Sequence, residues 1–504
     1  MPEKRTVARP DAMPDPEARR PVTPATVPPH TRLPARVAAA LFPLVCLAPL
    51  ALALTRDVAP PAVWELAAAG LGLVGLAAMA VQFVTSGRFD RLTGRVGIDR
   101  VMAFHKTAAW WVLAAAVLHP LAYVVPTAQV DPDLALERLW AYHTLPHYRS
   151  AAIAVAALAL LVVASALRER LPLRYEAWRA AHVGLALLAV GAGLHHALTV
   201  GRFSSLGAVQ AWWWGVIAGL AVVMAILYGW RWARLHARPW RLAQVRKHAD
   251  RMWELDLQPA EGTPPMSYEA GQFVWITVGA RRFPLFDHPF SIADSPHRPG
   301  LSLIVKEAGD FTDTIGAIPP GTIFGLDGPF GEFTVPEGSH DAVVLIAGGV
   351  GIAPIMGLLR YLVARGYPHP VRLAYAAGAP EKFACLPEIT AAADTLDLKV
   401  LMVAETGSTD WHGETGRLDR ARLSGLLDGL DPGSSVAMMC GPGPMVTAVS
   451  DTLLDIGLPM DRVRYERFDY AGGTSRLDRR RRWRFRALGA TLVVGLAAFV
   501  AAAA

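Results

Sequence analysis

The chain has 504 residues, room for two or three domains, and is 53% hydrophobic but only 18% charged, too apolar for an ordinary soluble protein. Its net charge of +6 does not indicate a nucleic-acid partner, because the basic residues collect beside apolar spans. Three cysteines, Cys46, Cys385 and Cys440, with no CxxC pair, speak against a disulfide framework or a cysteine metal site.

Residues 1–35 hold nine prolines and mixed charges without a hydrophobic period, which predicts a disordered tail. The tail is too long and too charged to read as a cleaved signal peptide. Six apolar spans follow over 36–230: Val37–Leu54, Val63–Val84, Val101–Val125, Ala151–Leu167, Ala180–Val200 and Val209–Trp230. Each has about the length a membrane helix needs. Orientation is read from the short loops. Arg88, Arg91, Arg95, Arg100, Arg168, Arg170, Arg174 and Arg179 fall on one side, against Arg56, Arg138, Arg149 and Arg202 on the other. The richer side is expected in the cytoplasm, with both ends of the bundle and whatever follows it.

The third span carries His105 and His119, and the fifth carries His182 with His195 and His196. Fourteen residues of helix set His105 and His119 about 21 Å apart along the axis and within roughly 40° of one face. The two spans run in the same direction, so His105 is level with His182, and His119 with His195 or His196. A lone histidine here would read as a helix-packing residue. Two matched layers instead predict bis-histidine ligation of two flat iron porphyrins. His196 repeats the fourteen-residue spacing, whereas His195 turns about 140° away from His182 on a straight helix, although a π-bulge would admit it. Trp110 and Trp111, between the layers, are read as packing residues. The loop 126–150 holds His143, His147 and Arg149, read as solvent-facing.

Past Arg231 the pattern changes. WELDLQP, QFVWITV and LSLIVKE predict an antiparallel β-barrel over 231–337. From 338 to 474, strand and helix alternate through AVVLIA, VRLAYAAG, KVLMVAE and SVAMMCG, which predicts a doubly wound parallel sheet. Gly348, Gly349 and Gly351 form a turn between a buried strand and a helix, suited to a pyrophosphate. Cys440, Gly441 and Pro442 end a later strand at the same edge of the sheet.

The soluble half resembles the ferredoxin–NADP reductase superfamily. From about 37 to 470, the chain resembles the ferric reductase and NADPH oxidase family of membrane flavocytochromes. The resemblance implies FAD, two b-type haems, and NADPH or NADH as donor. It implies that His288-Pro289-Phe290-Ser291 is the flavin motif: Phe290 stacks on the flavin ring, Ser291 bonds near its N5, and His288 helps hold the pyrophosphate. Gly309 to Thr312 resembles the second flavin element, with Thr312 the expected contact. By the same likeness Cys440 sits beside the nicotinamide and Phe468, in Tyr465-Glu466-Arg467-Phe468, covers the flavin. Haem ligands become His105 with His182, and His119 with His196 or His195.

Three features depart from the family. Ala353 replaces a common threonine. After VRLAYAAG the chain reads APEKF, without the arginine many relatives place near the 2′-phosphate, which leaves two readings: Lys382 substitutes for it, or NADH is accepted, with NADPH preferred because the phosphate needs a cation. The chain also continues through RRRRWRFR into the apolar stretch Ala487–Ala504, within a 475–504 tail read as a seventh span, the alternative being a helix that lies against the bundle or the membrane surface. The expectation is an all-α membrane bundle, a β-barrel FAD domain and an α/β nucleotide domain in one plasma-membrane oxidoreductase, with its soluble domains cytoplasmic. Its partners would be the lipid bilayer and a small-molecule acceptor on the outer side, oxygen or a ferric chelate. Delivery to a partner protein or quinone, and a non-catalytic haem sensor, are the rival readings. Oligomeric state stays open.

Overall fold

The computed structural model describes residues 34–55, 62–86, 89, 98–279, 282–336, 340–467 and 473–504. The expected N-terminal tail over 1–33, the loop residues Arg56, Arg88, Arg91 and Arg95, and Phe468 lie outside the described residues.

The apolar region forms helices α1 (Ala35–Ala53), α2 (Val63–Val81) and α3 (Ile98–Ala128), then α4 (Pro132–Thr144), α5 (Arg149–Ala166), α6 (Tyr175–Thr199) and α7 (Gly207–Met224). Helix α4 occupies what the sequence suggested was an outer loop. Asp131 caps it, its carboxylate accepting from the Leu134 N–H at 3.0 Å. Helix α7 does not stop at Trp230. It continues through a wider π-helical stretch, Ala225–Trp230, into α8 (Arg231–Ala237). Among the described residues seven helices, including the C-terminal one, are long and apolar enough to cross a membrane. Helix α3 packs chiefly on α2, and α6 on α5. The two histidine-bearing helices are thus each backed by a different neighbour.

The barrel is a six-stranded antiparallel sheet built from β1 (Pro239–Ala249), β2 (Met252–Pro259), β3 (Phe273–Val278), β4 (His288–Ser291), β5 (Leu301–Lys306) and β6 (Ile323–Phe330), in the order β4-β3-β6-β1-β2-β5. The nucleotide domain follows as β7 (Ala342–Gly348), α9 (Ile352–Ala364), β8 (Val371–Ala377), α10 (Leu386–Ala392), β9 (Leu398–Ala404), β10 (Glu414–Thr415), α11 (Arg420–Leu426), β11 (Ser435–Gly441), α12 (Gly443–Ile456) and β12 (Val463–Arg467). Its sheet is parallel, ordered β10-β9-β8-β7-β11-β12. Strands β7 and β11 are buried along their whole length, as central parallel strands covered on both faces should be.

Helix α13 (Arg476–Ala503) leaves this domain and packs beside α1, α2 and α3. Ser475 and Asp478 form a capping box at its start. Asp478 also holds Arg467 at 2.8 Å, both side chains buried, so the helix is tied to the last strand of the sheet.

The two soluble domains meet through a charge network. Arg360 on α9 donates to Glu254 on β2 and to the Ser302 hydroxyl, each at 2.8 Å, while holding Glu388 of its own domain at 2.6 Å. Burial alone would raise the Glu254 carboxyl. Bonds from His248 at 2.7 Å and from Arg246 at 2.9 Å, with the Arg360 charge, instead hold it well below the ordinary carboxylate range. With its folded-state pKa depressed, Glu254 contributes stability that is complete above the unfolded value of about 4.3 and is lost as pH falls toward the folded value. Glu254→Gln should cost about 3 kcal/mol, since it removes the buried anion that Arg246, His248 and Arg360 share and leaves Arg360 with Glu388 alone. Thermal melts of the full-length protein at pH 7 and pH 4 should show a lowered transition for the variant, with the gap from the natural chain narrowing in acid.

Candidate functional site

Four histidines meet in two pairs between α3 and α6. The His105 and His182 rings have their centres 6.4 Å apart, and those of His119 and His196 are 6.3 Å apart. Imidazoles at this spacing would leave room for one metal ion between the rings of each pair. Among the described residues no group of three or more His, Cys, Asp or Glu converges on one point. The two histidine pairs would each hold one haem iron.

Neighbours orient one ring of each pair. His119 donates from Nδ1 to the Ala68 carbonyl at 2.6 Å, leaving Nε2 for its partner. Gly72 makes room for that ring, because a Cβ there would lie 2.8 Å from it. His182 Nδ1 shares a 3.1 Å hydrogen bond with the Ser165 hydroxyl. The Nδ1 atoms of His105 and His196 are buried without a hydrogen-bond partner among the described residues. Unsatisfied polar atoms in an apolar bundle are costly, and this donor set fits haem iron. His195 lies exposed, its carbonyl accepting from Thr199, so His196 is the residue that faces His119. Trp111 packs edge-on against Phe104 at 6.0 Å, whereas Trp110 is exposed on the bundle surface.

The His119–His196 pair opens on a cavity of about 610 Å³, lined also by Tyr123, Tyr142, His143 and Tyr148, with Arg202 at its wall. His143, exposed on α4, also lines this cavity. His147 and Arg149 are exposed.

The opposite end of α6 touches the barrel. Arg179, three residues before His182, forms a short, buried ion pair with Asp287. It also lies over the Trp275 ring at 5.6 Å. Glu176 approaches His288 Nε2 at 3.4 Å. A second clamp comes from α8, where Arg231 and Arg234 hold Asp327 of β6 at 3.1 and 3.3 Å. These clamps were not legible as such in the sequence. Arg179 stood out only as a loop charge, and Asp287 only as the residue before the His-Pro-Phe-Ser run.

That run forms edge strand β4, paired to β3 through Phe290↔Val274 and Ser291↔Phe273. Phe290 is half-buried, Pro289 is exposed and Ser291 is buried. The His288 ring stacks flat on Phe311, with centres 4.0 Å apart and planes within 6°. Burial pushes the His288 imidazole below the ordinary histidine range, against the opposing pull of Glu176 and Asp287. The Thr312 hydroxyl is engaged inside its own turn, accepting from the Ala308 N–H at 2.8 Å and donating to the Gly309 carbonyl at 3.1 Å. Thr312 therefore shapes the loop, which puts Gly309 at φ +155°.

The two glycine elements of the nucleotide domain come together. A Cβ on Gly351 would lie 2.1 Å from the Cys440 carbonyl oxygen, and one on Gly441 would lie 3.1 Å from the Gly348 Cα. Gly349, at φ +54°, turns the chain between them and helix α9. Pro442 caps α12, and Cys440 is fully buried on β11 beside Ala347 and Glu466. Lys382, past the end of β8, is exposed, and its Nζ would lie 3.7 Å from a Cβ on Gly378.

The family described as ferric reductase like transmembrane component matches residues 71–193, which take in His105, His119 and His182 and stop short of His196. The FAD-binding domain family matches residues 239–318, and the oxidoreductase NAD-binding domain family matches 345–451. Among curated proteins the chain is similar to the flavohemoprotein of Bacillus subtilis, 24% identical over 250 residues, covering 48% of this chain and 60% of that protein. It is 28% identical to the flavohemoprotein of Bordetella pertussis over 250 residues, 46% of this chain and 61% of the relative. The chain therefore spans about 60% of the length of these relatives. Among solved structures, flavohemoglobin from Malassezia yamatoensis aligns with a TM-score of 0.45 at 16% identity, covering 80% of this chain and 99% of its own. The three family matches, in this order along one chain, give a ferric reductase-like membrane component joined to FAD-binding and NAD-binding oxidoreductase domains, the domain set of the ferric reductase and NADPH oxidase-like flavocytochromes.

Proposed function

We propose that the chain is a transmembrane oxidoreductase that carries electrons from cytoplasmic NADPH to a small-molecule acceptor, oxygen or a ferric chelate, on the opposite side of the membrane. The observation that carries this reading is the pair of histidine layers with ring centres 6.3–6.4 Å apart, in a bundle clamped at one end to the flavin strand. When bound, FAD accepts a hydride and yields electrons singly, and iron held by two imidazoles passes them one at a time.

Each residue has a part in holding or aiming these groups. His105 and His182 would hold the haem nearer the soluble domains, and His119 and His196 the outer one. Phe290 and the stacked His288–Phe311 pair supply flat apolar surface for the flavin, with the Ser291 hydroxyl at the same edge strand. Gly348, Gly349, Gly351 and Gly441 leave the backbone open to a dinucleotide pyrophosphate at the start of α9. Lys382 offers a cation for a 2′-phosphate, which favours NADPH over NADH. Cys440 backs the nicotinamide position from inside the sheet. The excess of loop arginines on one side of the spans supports a reading with the soluble domains in the cytoplasm of a plasma-membrane protein. The tyrosine-lined cavity beside His119 and His196 is the place for the acceptor.

In sealed vesicles with the soluble domains outward, added NADPH should reduce oxygen or ferric chelate trapped inside. Product confined to the outside would refute the direction. Comparing superoxide with ferrous yield identifies the acceptor. His196→Ala should halve the haem content per chain while His195→Ala leaves it at two, read by pyridine haemochrome. Gly351→Ala drives a Cβ into the Cys440 carbonyl and misplaces the dinucleotide, so haem reduction by NADPH should slow by roughly 100-fold. Reduction by dithionite should stay unchanged.

A further inference from the structure

Four guanidinium groups from three segments gather where the apolar stretches of α3 and α13 begin. Arg100 opens the span of α3, Arg464 lies on β12, and Arg481 and Arg484 lie in the basic first half of α13. Arg464, Arg481 and Arg484 all act on Arg100 as like charges. Among the described residues, the hydrogen bonds of Arg464 and Arg481 go to neutral oxygens. Arg464 donates to the Thr334 carbonyl at 3.1 Å, and Arg481 to the Tyr465 hydroxyl at 3.0 Å. Burial pushes the Arg464 guanidinium below its ordinary value, and Glu332 opposes that shift. The neighbouring carboxylate Asp478 is already committed to Arg467. Among the described residues Glu332 is the carboxylate that acts on this group, so four cations outnumber it, and such an excess favours binding of a further anion.

Position identifies the anion. Arg100 and Phe104 lie one turn apart on α3, as Arg481 and Phe485 do on α13, and the two phenylalanine rings meet at 5.4 Å. Arg100 therefore faces α13. His105, five residues on, is turned about 140° from it, toward α6. The cluster thus opens at the seam between two spans, away from the histidine pair. Trp483, in the same turn as Arg484, is 71% exposed, as a tryptophan at the headgroup level of a bilayer would be. The adjacent Arg479 and Arg480 turn to the soluble domain, bonding the Thr474 carbonyl at 3.1 Å and Met460 sulfur at 3.4 Å.

We propose that Arg100, Arg464, Arg481 and Arg484 bind the phosphate headgroup of an anionic phospholipid at the α3–α13 seam. Basic pockets between membrane helices on the cytoplasmic side take such headgroups. The lipid would bridge the bundle to β12, the last strand of the nucleotide domain, and make docking of that domain dependent on lipid charge.

The test uses full-length protein in neutral detergent, titrated with phosphatidylglycerol, with phosphatidylcholine of the same chains, or with inorganic phosphate, and retained lipid is counted by native mass spectrometry. Phosphatidylglycerol should be retained in preference to phosphatidylcholine, and millimolar phosphate should not displace it. Arg100→Gln with Arg481→Gln and Arg484→Gln should weaken retention about tenfold or more, and the corresponding lysine triple should keep most of it. Arg484→Gln alone, at an exposed position that folding tolerates, should weaken it about fivefold. Arg479→Gln with Arg480→Gln should change it less than twofold. Equal retention of both lipids, full displacement by phosphate, or an equal loss in the Arg479/Arg480 pair would overturn the proposal. So would unchanged retention in the glutamine variants, including the case in which only their haem bands shift.

Discussion

The buried ion pair between Arg179 and Asp287 joins the two halves of this protein at the point where they must cooperate. Arg179 is three residues from His182 on one helix face, and Asp287 is the residue before strand β4. A charge pair in such a place is costly to form and more costly to break, because either partner alone would be stranded away from water. Its value is geometric. With Trp275 beneath the guanidinium and Glu176 against His288, it fixes strand β4 over the end of the helix that carries an inner histidine. The Arg231–Arg234–Asp327 clamp does the same for β6, and it explains why the sixth span continues past Trp230 as helix. Those arginines have to reach the barrel from a rigid element.

Inside the bundle the constraint is the opposite one. Helices α3 and α6 each pack on another neighbour, so their histidines face one another across a gap rather than in contact. Gly72 and the Ala68 carbonyl on α2 position His119, and Ser165 on α5 positions His182. The backing helices thus aim the rings, while the ring-bearing helices leave the space between them open. Helix α13 closes the α1–α2–α3 side and is tied through Asp478 to the final strand of the nucleotide sheet. Among the described residues, the ion pairs of Asp287, Asp327 and Asp478 are thus among the contacts that hold the soluble domains to the bundle.

Much of this could be read from local pattern. Spans of about twenty apolar residues, fourteen-residue histidine spacing, and glycine turns after buried strands are local signals, and the corresponding elements stand where expected. The choice of His196 over His195 follows from helical phase, which a straight helix preserves. Less visible was strand β1, whose Arg241, Arg246, Lys247 and His248 hide its alternation, and β6, where Asp327-Gly328-Pro329 reads as a turn. The Thr312 hydroxyl serves its own loop, a local bond that motif matching does not reveal. The clamps were illegible because Arg179 and Asp287 are 108 residues apart, and nothing in either neighbourhood names its partner.

The central claim is that NADPH, bound by the nucleotide domain, supplies electrons to iron held by these two histidine pairs. Its most direct test is the optical spectrum of the purified, FAD-supplemented full-length protein on anaerobic addition of NADPH. Two six-coordinate, low-spin haems per chain that become reduced are the predicted result. Haem that stays oxidised with NADPH, yet is reduced by dithionite, would contradict the account.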